Sequence, residues 1–509
     1  MASFYKVDIK RDYPFSDYIV KPPAFTPEQQ KLADGLIKVL RRKEDVKTFC
    51  NKFPQVKQKE LHDLVDSLDV VFLSRQLPEK EKVELFKQLT DLLGGKNTEV
   101  VVEYVMDLVY GFSVVQSLFN DPDLEEVMVN GTSEPVFVYH REYGLCRTNL
   151  KFTPDSLQSF LDQIPADHKK LWEDVKMSDG SRANVIKPPL STEPTVTVRM
   201  FRKQPFSVID LINKGTMSSE LAAYFWLAAD GLMLHPFNML IVGGTAAGKT
   251  STLNSFTSFI PPSERIITIE DTAELNLFKR LNWVQLASGD QAGMSELVIN
   301  ALRMRPDRII VGDIRGAEAE SMFVAMNTGH RGVMGTLHAN NDRDALKRLE
   351  NAPMSVPKSL IPMAEIVVVQ HRVQSRTKGL IRRITQVSEI SKFEEGVIAL
   401  NEVFKWNPVT DQVERTELSL GILEVLSRIT HFKVNDLKQE LEDRKQILEY
   451  LQQKNVCLQE EIDLFMQKYY SKLFLEPKLK KDEAKKRLSM DTVELSNEDV
   501  TALPKNLFK

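Results

Sequence analysis

The sequence predicts an α/β fold with a mainly parallel sheet flanked by helices, and three observations carry that prediction. Short apolar runs at Asn238 to Val242, Arg265 to Ile269 and Arg308 to Val311 alternate with helical stretches such as Met294 to Met304, the pattern that builds strand–helix–strand crossovers. One of these runs passes into a glycine-rich turn and a helix start, Leu240 to Thr252, LIVGGTAAGKTST. Two others deliver acids where they end, Glu270-Asp271 and Asp313, and open α/β sheets bind ligands at the carboxyl ends of their strands.

At 509 residues the chain is too long for one core and suggests roughly three domains. Its 42% hydrophobic and 27% charged residues lie in the ordinary globular range. A net charge of -4 gives no global case for nucleic-acid binding, which needs a concentrated basic face. Cys50, Cys146 and Cys457 are too far apart for a paired metal signature and read as free thiols in a reducing compartment. The start, MASFYKVDIKRDYPF, has no apolar signal core, and the most apolar helix candidate, Leu221 to Ala229, meets Asp230 and Gly231 too soon to span a bilayer. The expectation is a cytoplasmic chain that meets a membrane only through a partner or a surface patch.

In chain order, residues 1–99 read as a helical N-terminal region. Thr26-Pro27-Glu28-Gln29 offers a capped start, and Leu32, Leu36 and Leu40 recur on one face. Amphipathic stretches follow at about 57–74 and 79–93, closed by Gly94-Gly95. Residues 100–206 read as a small α/β domain, with alternating runs Glu126 to Val129 and Pro135 to Tyr139 about an Asn130-Gly131 turn, and a later strand from Thr195 to Phe201. A connecting segment, 207–219, holds Gly215 and the Ser218-Ser219 helix start. The nucleotide-binding domain is expected over 220–430, and a helical extension over 431–475, where Leu437, Leu441, Leu448 and Leu451 share a face. That heptad is not sustained, which favours a packed hairpin over a coiled coil. The basic end, 476–509, with Lys478, Lys480, Lys481, Lys485, Lys486 and Arg487, reads as a disordered, solvated tail.

The chemistry starts at the glycine-rich turn. Gly243, Gly248, Lys249 and Thr250 satisfy G-x-x-x-x-G-K-[ST], in which backbone N–H groups cradle phosphates, Lys reaches the β/γ-phosphates and Thr binds Mg²⁺. Gly243, Gly244, Thr245, Ala246, Ala247, Gly248, Lys249, Thr250 and Ser251 are the expected nucleotide contacts. Hydrolysis also needs a carboxylate near Mg²⁺ and a polar group to place the attacking water; Glu270-Asp271 and Asp313 are candidates. His330 and His338, in TGHRGVMGTLHAN, are eight apart, so they share no helical turn. They read either as structural histidines or as hydrogen-bond donors to a phosphate.

The turn, the ITIEDTAEL segment around Glu270, Asp271 and Glu274, the RMRPDRIIVGDIRGAEA segment around Asp313, and TGHRGVMGTLHAN resemble, in that order, the Walker A, Asp box, Walker B and His box of the secretion-superfamily ATPases. DPDLEEVMVNG (Asp121 to Gly131) and DGSRANV (Asp179 to Val185) look like that family's N-terminal domain, so the resemblance spans about Asp121 to Glu402. It implies a RecA-like P-loop domain preceded by a small, PAS-like α/β domain, in a homohexameric motor that uses ATP and Mg²⁺. By the same resemblance Glu270 is the general base, Asp313 supports Mg²⁺ or water beside Thr250, and His330 and His338 sense the γ-phosphate. Arg182 and Arg199 look like the arginines that reach the phosphates on closure. Arg303 and Arg305 are further candidates, for which surface salt bridging is an equal reading. The implied partners are a polytopic membrane platform protein and filament-assembly machinery at the inner face of the cell membrane, with no nucleic acid.

The family usually carries GEIR where this chain has GDIR, with Asp313 one methylene shorter. A misplacement of about 1 Å can cost about a hundredfold in rate, so either a water bridges the gap or turnover is slow. The segment from Pro353 to Ile390 looks most like the archaeal members, which serve an archaellum or type IV pilus-like filament, and the archaellum motor is the favoured branch. A conjugation-type secretion ATPase is the alternative among motors. An ATP-dependent oligomerising scaffold with poor turnover is the alternative of another class.

Overall fold

The computed structural model describes residues 5–42, 46–54, 56–67, 79–94, 98–112, 115–167, 169–177, 179–201, 204–277, 280–289, 291–375, 378–394 and 397–475. They fall in two compact units, Met1–Arg202 and Lys203–Lys509. The tail expected over 476–509 lies outside the described residues.

The first unit opens with two strands, β1 (Lys6–Lys10) and β2 (Ser16–Lys21), where helix was expected. The reason is local: SDYIVK alternates with a period of two, so that Ser16, Tyr18 and Val20 are buried while their neighbours are not. Asn149 fixes the register by bonding the backbone N–H and carbonyl of Val20 at 2.8 and 3.0 Å. The helices α1 (Pro27–Arg42), α2 (Val46–Lys52), α3 (Gln58–Ser67), α4 (Glu79–Leu92) and α5 (Glu99–Tyr110) then share one apolar cluster. Thr26 and Gln29 close a reciprocal cap on α1, and Leu32, Leu36 and Leu40 are buried. Because Val101, Val102 and Val105 of α5 belong to this cluster, the helical region runs past the expected limit at residue 99.

The rest of the unit comprises α6 (Gln116–Phe119), β3 (Leu124–Asn130), β4 (Phe137–His140), β5 (Gly144–Thr148), α7 (Pro154–Gln163), β6 (Trp172–Lys176), β7 (Arg182–Ile186) and β8 (Thr195–Arg199). The eight-stranded sheet has the order β1-β2-β5-β4-β3-β8-β7-β6, antiparallel except for β2 against β5. Val127, Val138, Ala183 and Val198 turn one face towards Leu157 and Phe160 of α7. Alternation puts Arg182 and Arg199 on the other face.

The second unit contains α8 (Val208–Asn213), α9 (Ser219–Asp230), β9 (Met239–Val242), α10 (Lys249–Phe256), β10 (Ile266–Glu270), β11 (Trp283–Ala287), α11 (Met294–Ala301), β12 (Arg308–Ile314), α12 (Glu318–Asn327), β13 (Met334–Leu337), α13 (Asp342–Glu350), β14 (Ile366–Ser375), β15 (Gly379–Glu394), β16 (Val397–Asn407), β17 (Gln412–Arg415), α14 (Gly421–Ile429), α15 (Val434–Gln453) and α16 (Gln459–Leu475). Its nine strands run in the order β11-β10-β12-β13-β9-β14-β15-β16-β17. The first six are parallel and the last three add antiparallel. Alternation splits the core in two: Met239 and Ile241 face one layer, Leu240 and Val242 the other.

One expected boundary shifts. The segment read as a linker, 207–219, contains α8, whose Val208, Ile209 and Leu211 are buried in the same core as α9. The C-terminal extension is packed into that core as well, through Leu437, Ile447, Leu448 and Leu451. A buried polar clamp accompanies it. Arg444 Nη1 donates to Asp230 Oδ2 at 2.9 Å, with side-chain exposures of 2% and 1%. The guanidinium lies over the Trp226 ring, whose indole N–H donates to the Tyr470 hydroxyl at 3.0 Å.

Candidate active site

Parallel pairing decides where the motifs meet. In the strand order β10-β12-β13-β9 the register pairs Ile269 with Val311, Val311 with Gly335, and Leu337 with Val242. The carboxyl ends of all four strands therefore share one edge, and from it emerge the glycine-rich turn, Glu270, Asp313 and His338.

The turn has the conformation its sequence requires. A Cβ on Gly243 would lie 2.2 Å from the Gln370 carbonyl oxygen of β14, so only glycine lets the neighbouring strand approach. Gly248, at φ +93°, turns the chain into α10. Lys249 is 7% exposed, and its Nζ donates to the carbonyls of Gly243 and Gly244, both at 3.0 Å. The ammonium thus lies across the turn, while Thr250 and Ser251 sit half-buried in the first helical turn. Free N–H groups and the helix dipole there favour an anion.

Glu270 is 2% exposed and fully engaged. Its Oε1 accepts from the backbone N–H groups of Glu274 (2.9 Å) and Leu275 (2.8 Å), and its Oε2 from the Gln285 amide (3.0 Å). Burial raises its pKa above the ordinary carboxylate value, against the lowering effect of these donors. Gly312 makes the space, since a Cβ there would lie 2.9 Å from Glu270 Cγ. The carboxylate anchors the loop 271–277, on which Glu274 is exposed.

Asp313 Oδ2 accepts from Arg315 Nε at 2.7 Å and lies 3.3 Å from His338 Nε2. Its Oδ1 is buried without a hydrogen-bond partner. Burial and then the Lys249 ammonium push His338 below the ordinary imidazole pKa, outweighing the Asp313 carboxylate, which keeps the ring neutral at neutral pH. A hard-oxygen set of the Thr250 hydroxyl and this orphaned carboxylate oxygen suits Mg²⁺ completed by phosphate oxygens and water.

In the first unit Arg182 and Arg199 stand directly opposite each other on β7 and β8. Arg182 Nη2 is 3.4 Å from Asp174 Oδ2.

Residues 144–466 match the type II/IV secretion system protein family. The chain belongs to that family. Among its relatives are two uncharacterized proteins of Methanocaldococcus jannaschii. One is 44% identical over 230 residues, 42% of this chain and 32% of that protein. The other is 33% identical over 362 residues, 67% of this chain and 64% of that protein. The probable conjugal transfer protein TrbB of Sinorhizobium fredii is 33% identical over 222 residues, 43% of this chain and 66% of that protein. The chain thus spans less than two thirds of the length of either archaeal relative.

Within this secretion-family chain, the structure separates residues that the sequence grouped. His330 precedes β13, at the end of the sheet where Val333 N–H donates to Asn238 Oδ1. His338 follows β13. Four strand residues, about 13 Å at the usual rise, lie between them, so one chain cannot aim both imidazoles at one phosphate. Beside His330 is a different cluster, with Arg331 Nη1 3.0 Å from His235 Nε2 and His235 3.6 Å from Glu365. Arg303 and Arg305 also lie before β12, at that far end, and are exposed. Three residues given no role by the sequence reading touch the site: Arg315 on Asp313, Gln285 on Glu270, and Arg382 on Ala246. The first stands inside GDIR beside a recognised acid; the other two come from β11 and β15 and carry no local signal.

Proposed function

We propose that this chain is a Mg²⁺-dependent ATPase that works as a homohexameric motor at a membrane. The observation that carries the reading is the convergence of Lys249, Glu270, Asp313 and His338 at one edge of a parallel sheet. Lys249 and the α10 N–H groups hold the phosphates, and Thr250 with Asp313 holds Mg²⁺, which supplies charge neutralisation to phosphoryl transfer. Neutral His338 has one N–H, and with Nε2 turned to Asp313 it steadies that carboxylate.

The proton acceptor is Glu274 rather than Glu270. Three donors hold the Glu270 carboxylate, which suits an anchor, whereas Glu274 is exposed on the loop that it anchors. Glu274→Gln is expected to lower turnover about a hundredfold or more with nucleotide affinity within about threefold. Glu270→Gln sets two amide donors, its own and Gln285, against each other, so it lowers turnover together with thermal stability. Normal turnover in Glu274→Gln beside none in a stable Glu270→Gln would return the base role to Glu270.

Arg182 and Arg199 stand side by side on β7 and β8, with Asp174 beside Arg182 and Glu126 opposite Arg199, and by the family resemblance we assign both to the developing phosphate charge. Arg182→Ala should leave binding of a fluorescent ATP analogue within about threefold while lowering phosphate release about tenfold or more. Unchanged release would make this arginine structural.

The load we favour is an archaellum or type IV pilus-like filament, through a polytopic membrane platform, with the chain at the inner face of the membrane and no nucleic-acid contact. Among the described residues no helix is long and apolar enough to cross a membrane. The similarity to a conjugal transfer protein supports a second reading, export of protein or DNA. Filament-subunit genes beside this one would favour the first, and conjugation genes the second.

A further inference from the structure

The chemistry-bearing turn rests on a strand hairpin that the phosphate-binding motif does not include. Beyond Val369, which pairs with Val242, β14 continues past the end of β9 and folds back as β15. That hairpin touches the turn at three points. Gln370 presents its carbonyl to Gly243, its amide oxygen accepts from Thr252 Oγ1 of α10 at 2.8 Å, and Arg382 Nε donates to the Ala246 carbonyl at 3.1 Å. Ala246 is itself in the left-handed region, at φ +57°. An alanine there is disfavoured and persists only where its surroundings hold it.

Arg382 is placed rigidly enough to do the holding. Its neighbour Arg383 is buried, donates through Nε and Nη2 to both oxygens of Asp411 at 2.7 and 2.8 Å, and through Nη1 to the Lys214 carbonyl at 2.9 Å. Asp411 also accepts from Lys378 and from the Trp406 indole, and Arg383 first, with these two donors, holds its carboxyl well below the usual carboxylate range. On the other side, a Cβ on Gly248 would lie 3.2 Å from Arg382 Cδ, so the stem of the arginine is packed against the turn as well as bonded to it.

We propose that Arg382 is a positioning residue for the nucleotide site: through its Nε–H it holds Ala246 left-handed, so that the N–H groups of the turn point at the phosphates. The inference rests on the ATPase reading and adds to it a residue 136 positions from the one it holds. It concerns the Nε–H and not the positive charge, and side-chain length separates the two. Glutamine places an amide N–H where arginine has Nε, without the charge. Lysine keeps the charge but has a methylene at that position.

The test is a titration of the full-length wild type, Arg382→Gln, Arg382→Lys and Arg382→Leu with a fluorescent ATP analogue, alongside KM, kcat and thermal midpoints. Arg382→Lys and Arg382→Leu are expected to weaken binding and raise KM about tenfold, with kcat within about threefold, while Arg382→Gln binds within about threefold of the wild type. If lysine keeps the affinity and glutamine loses it, charge is what matters and the proposal fails. It fails too if all variants bind like the wild type. If Arg382→Leu does not fold, the glutamine and lysine variants decide between themselves. A wild type that binds no nucleotide overturns the ATPase reading instead, which keeps the two failures distinct.

Discussion

Lys249→Ala is expected to reduce ATP turnover by about a hundred- to a thousandfold, the cost of removing one preorganised charged donor from a phosphoryl-transfer site. The side chain is 7% exposed, and its ammonium lies against the carbonyls of Gly243 and Gly244. Its loss takes away the charge that opposes the phosphates and the donor that draws the two ends of the turn together. Phosphate release by the purified chain, measured beside its oligomeric state, checks both. A motor loses release in this variant. If the wild type assembles with ATP yet releases no more phosphate than Lys249→Ala, the chain is a scaffold.

Arg444→Ala is expected to cost about 3–5 kcal/mol of stability, because it strands the Asp230 carboxylate in the core without its counter-charge. The pair joins α15 to the end of α9 at exposures of 2% and 1%. Burial alone would lower the Arg444 pKa, and the Asp230 carboxylate more than offsets it, so the guanidinium stays charged. Asp230 also shapes the chain that follows it, since its Oδ1 accepts from the Leu232 N–H at 3.0 Å and holds that residue at φ +55°. Urea unfolding of the full chain reads the loss, and a change under about 1 kcal/mol would mean that Asp230 is solvated or protonated on its own. Adding Asp230→Asn to Arg444→Ala should recover part of the loss, since a neutral amide needs no counter-charge.

The contrast between these two residues shows what was legible. Lys249 stands in a nine-residue segment whose every part acts on its neighbours, so its place could be read from spacing. Arg444 reads as one charge on an amphipathic helix, and nothing within four residues of it announces Asp230, 214 positions away. The same limit explains the N-terminal strands. SDYIVK alternates visibly and its hairpin partner β1 is close by, but β5, which joins the pair to the rest of the sheet, lies more than a hundred residues on, and a short alternating run is weak evidence for a strand.

Within the site the division is equally specific. Glu270 and Asp313 were found because each follows an apolar strand, and parallel pairing brings both to one edge. The contacts of Glu270 were not, because its donors come from its own loop and from Gln285, and its space comes from Gly312 on the next strand. His330 and His338 look equivalent in sequence and are not, since a strand runs between them.

By itself the sequence determined that an α/β sheet carries a phosphate-binding turn, that acids follow the neighbouring strands, and that the chain resembles secretion ATPases. These are properties of short segments, set by backbone geometry and residue spacing within a dozen positions. Only the tertiary structure decided that Glu270 is bound on three sides, that His330 stands at the opposite end of β13 from His338, and that Arg382 bonds the Ala246 carbonyl. Those facts depend on which strands lie side by side and in what order, and that order is fixed by the burial of two whole apolar layers, not by any local run of residues.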